Sequence, residues 1–343
     1  MSDREPTAAR EPAPSTSVCP RPRPRFAGRR VTDLSTVAGS VIWLGLVAGT
    51  IDGTIPIAPV ALYVALAALV LIPLGFGVVE IPRDGTAVTV PYRAAVVGQG
   101  PAALALVAAL AAPQGSLVAV ALTLPWLCVT GAIALCGLGR LTARGGGPLP
   151  ELAIDAGLLY VPVAATFLCM HAAGVSLRFA PIIVLLTGVH FHYAGFALPL
   201  VVGLTGRILT GDDGTFPAAI TGRATAAATV VIVVGILLIA VGITFSPLVE
   251  AVAVIAFTIA VAGFAIRLLR DVVPAVARLP GLLLAVAALS ICWTMALALA
   301  FASASLPGTP SLITIPEMIR WHGSVNAFGF ALPALLAVRL LEE

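Results

Sequence analysis

The chain has 343 residues, of which 59% are hydrophobic and only 10% are charged, and its formal net charge is +3. Soluble domains carry about 25% charged residues, so this composition excludes a soluble globular protein of this length. We therefore expect an integral membrane protein whose main partner is the lipid bilayer, and we expect no nucleic-acid partner.

The first 30 residues are rich in Pro, Arg, Ser and Thr and poor in large apolar side chains. Such a segment cannot bury enough apolar surface to fold, so we predict a disordered cytoplasmic tail over residues 1–30 and a transmembrane domain over residues 31–343. The Arg29–Arg30 pair superficially resembles a twin-arginine export signal. An anchor for the first span is the preferred interpretation, because nine more apolar stretches follow.

Ten apolar stretches follow the tail, each long enough to cross a bilayer. A helix rises about 1.5 Å per residue and the hydrocarbon core is about 30 Å thick, so about 17–25 apolar residues make a span. The sequence thus predicts an all-α polytopic membrane bundle of about ten transmembrane helices. The predicted spans are Leu34–Ile51, Ile57–Val79, Ala94–Ala112, Leu117–Leu138, Ile154–Gly174, Pro181–Leu204, Ala224–Phe245, Leu248–Ile266, Pro280–Ala302 and Ser324–Leu340.

The arginines predict how the chain is oriented. All 19 basic residues are arginine, and with a cytoplasmic N-terminus and ten spans only Arg178 and Arg320 fall on the outer side. Positive charge in short loops is retained on the cytoplasmic side of a membrane. We therefore predict a multi-pass protein of the cell membrane with both termini in the cytoplasm.

Histidine is the polar residue that points to a site. The chain has four, His171, His190, His192 and His322, and all fall in the outer half of predicted spans or near the midplane. Ionisable groups at that depth usually face a bundle interior or a wet cavity. His190 and His192 are about 200° apart on a helix, so at most one can line a given cavity.

The sixth and tenth spans share the pentapeptide Gly-Phe-Ala-Leu-Pro, which begins at Gly195 and at Gly329. His192 and Asn326 stand three residues before these glycines. We expect His190 or His192 to approach His322 or Asn326 across a helix interface, and His192 with Asn326 is the preferred pair. Each proline should kink its helix and free a carbonyl. Pro316 and Glu317 suit the first turn of a helix that begins before His322.

We infer a polar site between spans five, six and ten. Its candidate ligand-binding residues are His171, His190, His192, Tyr193, His322 and Asn326, and the weaker candidates for metal ligands are His192, His322 and Met318.

Two segments of the chain resemble the signature stretches of the YndJ-like proteins. They are Val189–Phe196 and Met318–Phe330; Leu122–Trp126 and Ile72–Gly75 also fit that family. The resemblance covers roughly residues 38–340. It implies a multi-spanning bacterial or archaeal membrane protein and supplies no substrate, cofactor or site.

Several functions remain compatible with these features. Kinked helices and polar groups near the midplane favour a transporter of a small molecule or ion. Imidazoles, with Met170 and Met318, could instead bind haem or copper between helices. No G-x-S-x-G or H-E-x-x-H motif occurs, so the sequence does not favour an enzyme. A structural or regulatory membrane subunit is the remaining alternative.

Overall fold

The computed structural model describes residues 22–81, 86–211, 213–305 and 308–342. Ten helices in these ranges are long and apolar enough to cross a membrane, which confirms the predicted all-α class and the ten spans. They are α1 (Val31–Ile51), α2 (Ala61–Val78), α3 (Val88–Ala111), α4 (Leu117–Arg144), α5 (Leu149–Ala172), α6 (Pro181–Leu209), α7 (Ile220–Phe245), α8 (Pro247–Ala275), α9 (Arg278–Ala302) and α10 (Ile315–Leu340).

A short hairpin precedes the first helix. Its two strands, β1 (Arg25–Phe26) and β2 (Arg29–Arg30), pair antiparallel. Residues 1–21 of the tail predicted over residues 1–30 lie outside the described residues. The division of the chain into that tail and a transmembrane domain remains a prediction.

Helix α2 occupies the centre of the bundle. In the most apolar 18-residue stretch of α2, 89% of the residues are buried, whereas 11% are buried in the corresponding stretch of α1. Helix α6 packs against α2, α5, α7 and α10, and the pairs α3–α4 and α7–α8 form antiparallel hairpins. The interior therefore brings α2, α6 and α10 together, although they are far apart in sequence.

Four of the spanning helices contain a π-helical segment that ends two residues before a proline. These segments are Ala67–Leu71, Phe191–Ala197, Leu268–Val272 and Val325–Ala331, before Pro73, Pro199, Pro274 and Pro333. In each case the residue before the proline donates its N–H to the carbonyl five residues earlier. A wider turn keeps the backbone hydrogen-bonded beside a residue that lacks an N–H and would crowd an α-helical carbonyl.

The repeated pentapeptide thus produces the same local structure twice. Its glycines also allow close helix packing, as expected. A Cβ on Gly329 would lie 2.4 Å from the Ser290 hydroxyl of α9, and one on Gly195 would lie 3.2 Å from Tyr160 Cβ of α5.

Arginines gather at one end of the bundle, which we call the arginine end. Arg140 and Arg144, at the end of α4, pair with Asp155 of α5, and Arg140 Nη2 lies 2.6 Å from Glu151. Arg207, at the end of α6, joins the same Glu151. Here charge is neutralised inside the protein instead of facing lipid.

The N- and C-terminal parts of the described chain meet at the same end. Arg23 and Arg30 both pair with Glu342 at 2.6 Å, and Arg339 pairs with Asp33 of α1 at 2.8 Å. An even number of spans returns a chain to the side on which it started, so this contact agrees with ten spans. Which side of the membrane holds the arginine end remains a prediction.

Candidate functional site

Two histidines face each other across the interface between α6 and α10. The ring centroids of His190 and His322 are 6.2 Å apart, and the ring planes are inclined by 30°. His190 is nine residues into α6 and His322 is seven residues into α10, which corresponds to depths of about 14 Å and about 10 Å from the end opposite the arginines. The pair therefore lies inside the apolar region of the bundle.

The hydrogen bonds of both rings fix which nitrogen carries the proton. His190 Nδ1 lies 2.8 Å from the Leu186 carbonyl oxygen, and His322 Nδ1 lies 2.9 Å from the Thr294 carbonyl oxygen. A carbonyl oxygen only accepts, so in both neutral rings Nδ1 donates and Nε2 keeps its lone pair.

The two Nε2 atoms are available to a ligand. Among the residues that the structure describes, no hydrogen bond engages either Nε2. His190 is exposed and His322 is half-buried, so the pair can be approached from outside the packed core. Two imidazole rings thus lie 6.2 Å apart, centroid to centroid, and the Nδ1 of each is already hydrogen-bonded.

A polar framework surrounds the pair and ties four helices together. Tyr193 of α6 donates to the Tyr63 carbonyl oxygen of α2 at 2.9 Å, and the Tyr63 hydroxyl lies 2.7 Å from Ser324 Oγ of α10. Thr294 of α9 donates from Oγ1 to Asn326 Oδ1 at 3.0 Å. The side chains of Tyr193 and Asn326 therefore hold the helices on which the histidines stand.

The expected approach of a histidine of span six to span ten is made by His190 and His322. The preferred pair of His192 and Asn326 is wrong. His192 points to α4, where Trp126 Nε1 donates to its Nε2 at 3.3 Å and its Nδ1 donates to the Gly188 carbonyl oxygen at 2.7 Å. Both side chains are fully buried. Since each ring nitrogen is engaged, His192 has no lone pair left for the metal that the sequence assigned to it. The separation of His190 and His192 around the helix directs His190, not His192, towards α10.

His171 also lies elsewhere. Gln114 Nε2 donates to the His171 carbonyl oxygen at 2.9 Å and lies 3.5 Å from its Nδ1. Both residues line a small cavity of about 90 Å³ together with Thr123 and Leu168, between α3, α4 and α5. Span five of the predicted site therefore contributes no residue to the histidine pair, which lies between α6 and α10.

Sequence reasoning did not identify three of the residues that organise this region. Trp126 stood in the Leu-Pro-Trp motif of the fourth span, and Tyr63 is a polar aromatic residue in a very apolar span. Both could have been singled out as buried donors that need acceptors. Nothing in the sequence singled out Thr294, because the group that accepts the hydrogen bond of His322 is its backbone carbonyl, which every residue has.

The metal-binding capacity of the site is limited by its small number of ligands. Over the described ranges, no group of three or more His, Cys, Asp or Glu side chains could hold a metal ion. Met318 precedes His322 by four residues, within the π segment Met318–Gly323, so its thioether is on the same side of the helix. The buried carboxylate of Asp155 forms ion pairs with Arg140 and Arg144 and is not part of this site.

Comparison with known proteins places this architecture in a family. The family model described as YndJ-like protein matches residues 62–330, a range that contains His190, His322 and the first copy of the pentapeptide. The Bacillus subtilis (strain 168) protein named "Uncharacterized membrane protein YndJ" is 31% identical over 216 residues. The alignment covers 63% of this chain and 37% of that relative, so the chain spans a little over a third of the length of the relative it matches. No solved structure matches the chain. The match of the family model over most of the chain shows that this membrane protein belongs to the YndJ-like family.

Proposed function

We propose that the protein is a carrier for a small polar molecule or ion, which binds at the histidine pair of His190 and His322. The observation that carries this proposal is that two helices distant in sequence each present, inside the membrane region, an imidazole Nε2 that has no hydrogen-bond partner among the described residues. Ionisable groups are costly at that depth, and they commonly mark the path of a substrate or ion.

The helices that bear the pair support movement of a ligand. Both α6 and α10 are divided by a π segment and a proline into two helical halves. Interrupted helices of this kind line the binding sites of many transporters, because their halves can tilt separately. The buried carboxylate Asp155 is neutralised by arginines, so a histidine is the better candidate to respond to a bound ion or proton.

We further propose that the arginine end faces the cytoplasm, since 17 of the 19 arginines fall on that side in the predicted arrangement of ten spans. The histidine pair then lies in the outer half of the membrane, and a ligand reaches it from outside.

Thermal stability in detergent tests the binding step. A panel of small polar compounds and ions is added to the purified protein, and compounds that raise the melting temperature are then assayed for uptake into proteoliposomes. We expect at least one ligand whose thermal shift and uptake are lost in His322→Ala. His171→Leu is the matched control, because that histidine lies against Gln114 between other helices. A shift that survives both His190→Ala and His322→Ala would contradict the proposal.

Haem binding is a second candidate, and the separation of the two rings favours it. Two imidazoles that ligate one iron through Nε2 stand on opposite faces of the porphyrin, and the structure presents one imidazole on each of two helices. A Soret band in protein purified from a haem-replete host, absent in His190→Ala, would support this candidate. Purified protein without that band would exclude it.

A further inference from the structure

We propose that the ligand of the histidine pair is monovalent copper, held between Nε2 of His190 and Nε2 of His322. This inference rests on the proposed binding function of the same site and names its ligand class. It draws on the spacing of the rings, on the hydrogen bonds that orient them, and on the charges around them.

The spacing of the rings fits one shared ion. Metal–nitrogen bonds of about 2.0 Å on both sides of an ion place the centroids of two opposed imidazoles roughly 6 Å apart. The observed separation of the two ring centroids is 6.2 Å, and the ring planes are inclined by 30°.

The hydrogen bonds of the two rings are those of preformed ligands. Histidines that bind metals donate their other ring N–H to a backbone carbonyl or a carboxylate, which fixes the tautomer and the orientation of the ring. Here Leu186 and Thr294 supply those carbonyl oxygens, at 2.8 Å and 2.9 Å. The two backbone acceptors come from different helices, so the position of each ring is set independently.

The low number of ligands selects among metals. Zinc sites use three or four protein ligands, and calcium and magnesium require several oxygen ligands. No described residues provide a group of three His, Cys, Asp or Glu ligands. Monovalent copper accepts imidazole and thioether ligands and tolerates low coordination, and the Met318 thioether lies one turn before His322.

The charge of the site also favours a monovalent ion. The nearest acidic residue along α10, Glu317, is exposed and hydrogen-bonded to Thr314 at the start of the helix. With two neutral imidazoles and no carboxylate as ligands, a divalent ion would leave two uncompensated charges in the membrane region, whereas a monovalent ion leaves one.

Anaerobic titration of the detergent-purified protein tests the inference. Monovalent copper is added in ascorbate with bicinchoninate as a coloured competitor, so that the protein withdraws copper from the dye. We expect one copper ion per chain, and at least tenfold weaker binding in His190→Leu and in His322→Leu. His171→Leu is the control and should bind as the unmodified chain does. No withdrawal of copper, or equal binding by all variants, would overturn the proposal.

A substitution that keeps a soft ligand separates loss of a ligand from loss of fold. His322→Cys should bind monovalent copper again, and X-ray absorption should then show one sulfur and one nitrogen in place of two nitrogens. Failure of His322→Cys to bind while its melting temperature matches the unmodified chain would overturn direct ligation.

The copper test and the carrier test can fail separately. If polar compounds give thermal shifts that depend on His322 while copper is not bound, the copper inference fails and the carrier proposal stands. If neither copper nor any compound engages the pair, both fail. A Soret band that depends on both histidines would assign the pair to haem and overturn copper.

Discussion

Three histidines donate Nδ1–H to a backbone carbonyl. They differ in whether the other ring nitrogen, Nε2, has a hydrogen-bond partner among the described residues. Nε2 of His192 accepts a hydrogen bond from Trp126, whereas no hydrogen bond within the described part of the chain reaches Nε2 of His190 or of His322. The sequence predicted that His190 and His192 face apart, because two residues turn a helix by about 200°. It could not predict which of them faces α10, since that depends on the rotation of the whole helix.

His192→Ala is expected to destabilise the protein without removing its ligand site. The fully buried indole N–H of Trp126 would lose its acceptor, which costs about 1–3 kcal/mol, and the lost ring would add a cavity. His190→Ala should lower the melting temperature less, because that ring is exposed. Thermal melting in detergent measures both. In a double-mutant cycle with Trp126→Phe the losses should not add; additive losses would show that the two side chains act independently.

Asp155→Ala is expected to be among the most destabilising substitutions in the chain. Asp155 is fully buried and balances Arg140, and removing one partner of a buried pair costs about 3–5 kcal/mol. Glu342→Ala is the matched control at the same end of the bundle. It breaks the more exposed pairs with Arg23 and Arg30, which should be worth about 1 kcal/mol or less. Unfolding in mixed detergents provides the comparison, and equal losses would argue against burial as the cause.

At the scale of the helix, local sequence predicted much of what forms. The start of α10 follows from Thr314, Pro316 and Glu317, and the structure has the expected proline and a capping box there. The prolines were expected to kink α6 and α10, but π turns were not expected. Proline alone does not dictate them, because Pro125 and Pro162 lie within helices assigned as α throughout.

Pro333→Ala tests whether the π segment Val325–Ala331, the second of two in α10, positions His322. Alanine restores the N–H at position 333, so the segment can return to α-helical hydrogen bonding. Each residue by which the hydrogen-bond register then shifts rotates His322 by about 100° relative to the half of α10 that contains Arg339. A His190→Cys/His322→Cys pair should react readily with a bifunctional thiol reagent in a cysteine-free chain. Addition of Pro333→Ala should reduce that cross-link severalfold, while the unfolding free energy is unchanged or higher.

Pro274→Ala is the matched control for this experiment. It removes the equivalent proline after the π segment Leu268–Val272 of α8, a helix that carries no residue of the histidine site. Cross-linking should stay as it was. If Pro333→Ala behaved like this control, the π segment would have no part in orienting His322.

For the whole molecule, composition and arginine spacing predicted more of the architecture than the motifs did. Ten spans follow from the lengths of the apolar runs, and their alternation with arginines explains why Arg140, Arg144 and Arg207 meet at one end. Which helices pack against each other could not be predicted from the sequence. Lipid-facing and buried faces are both apolar, so hydrophobic periodicity does not distinguish them in a membrane as it does in water. The pairing of the sixth helix with the second and tenth depends on that order.

The orientation of the bundle is the last prediction. The N- and C-terminal parts of the described chain meet at the arginine end, so the prediction requires that end to be cytoplasmic. Single cysteines are placed in a cysteine-free chain at Ala218, before α7, and at Ser311, before α10; both positions are exposed, and neither is among the residues with positive φ. In intact cells a membrane-impermeant maleimide should label Ser311→Cys and leave Ala218→Cys unmodified until the membrane is opened. Reversed labelling would put the arginine end outside and the histidine pair in the inner half of the membrane. Labelling of both positions in intact cells would contradict the three spans, α7, α8 and α9, that separate them.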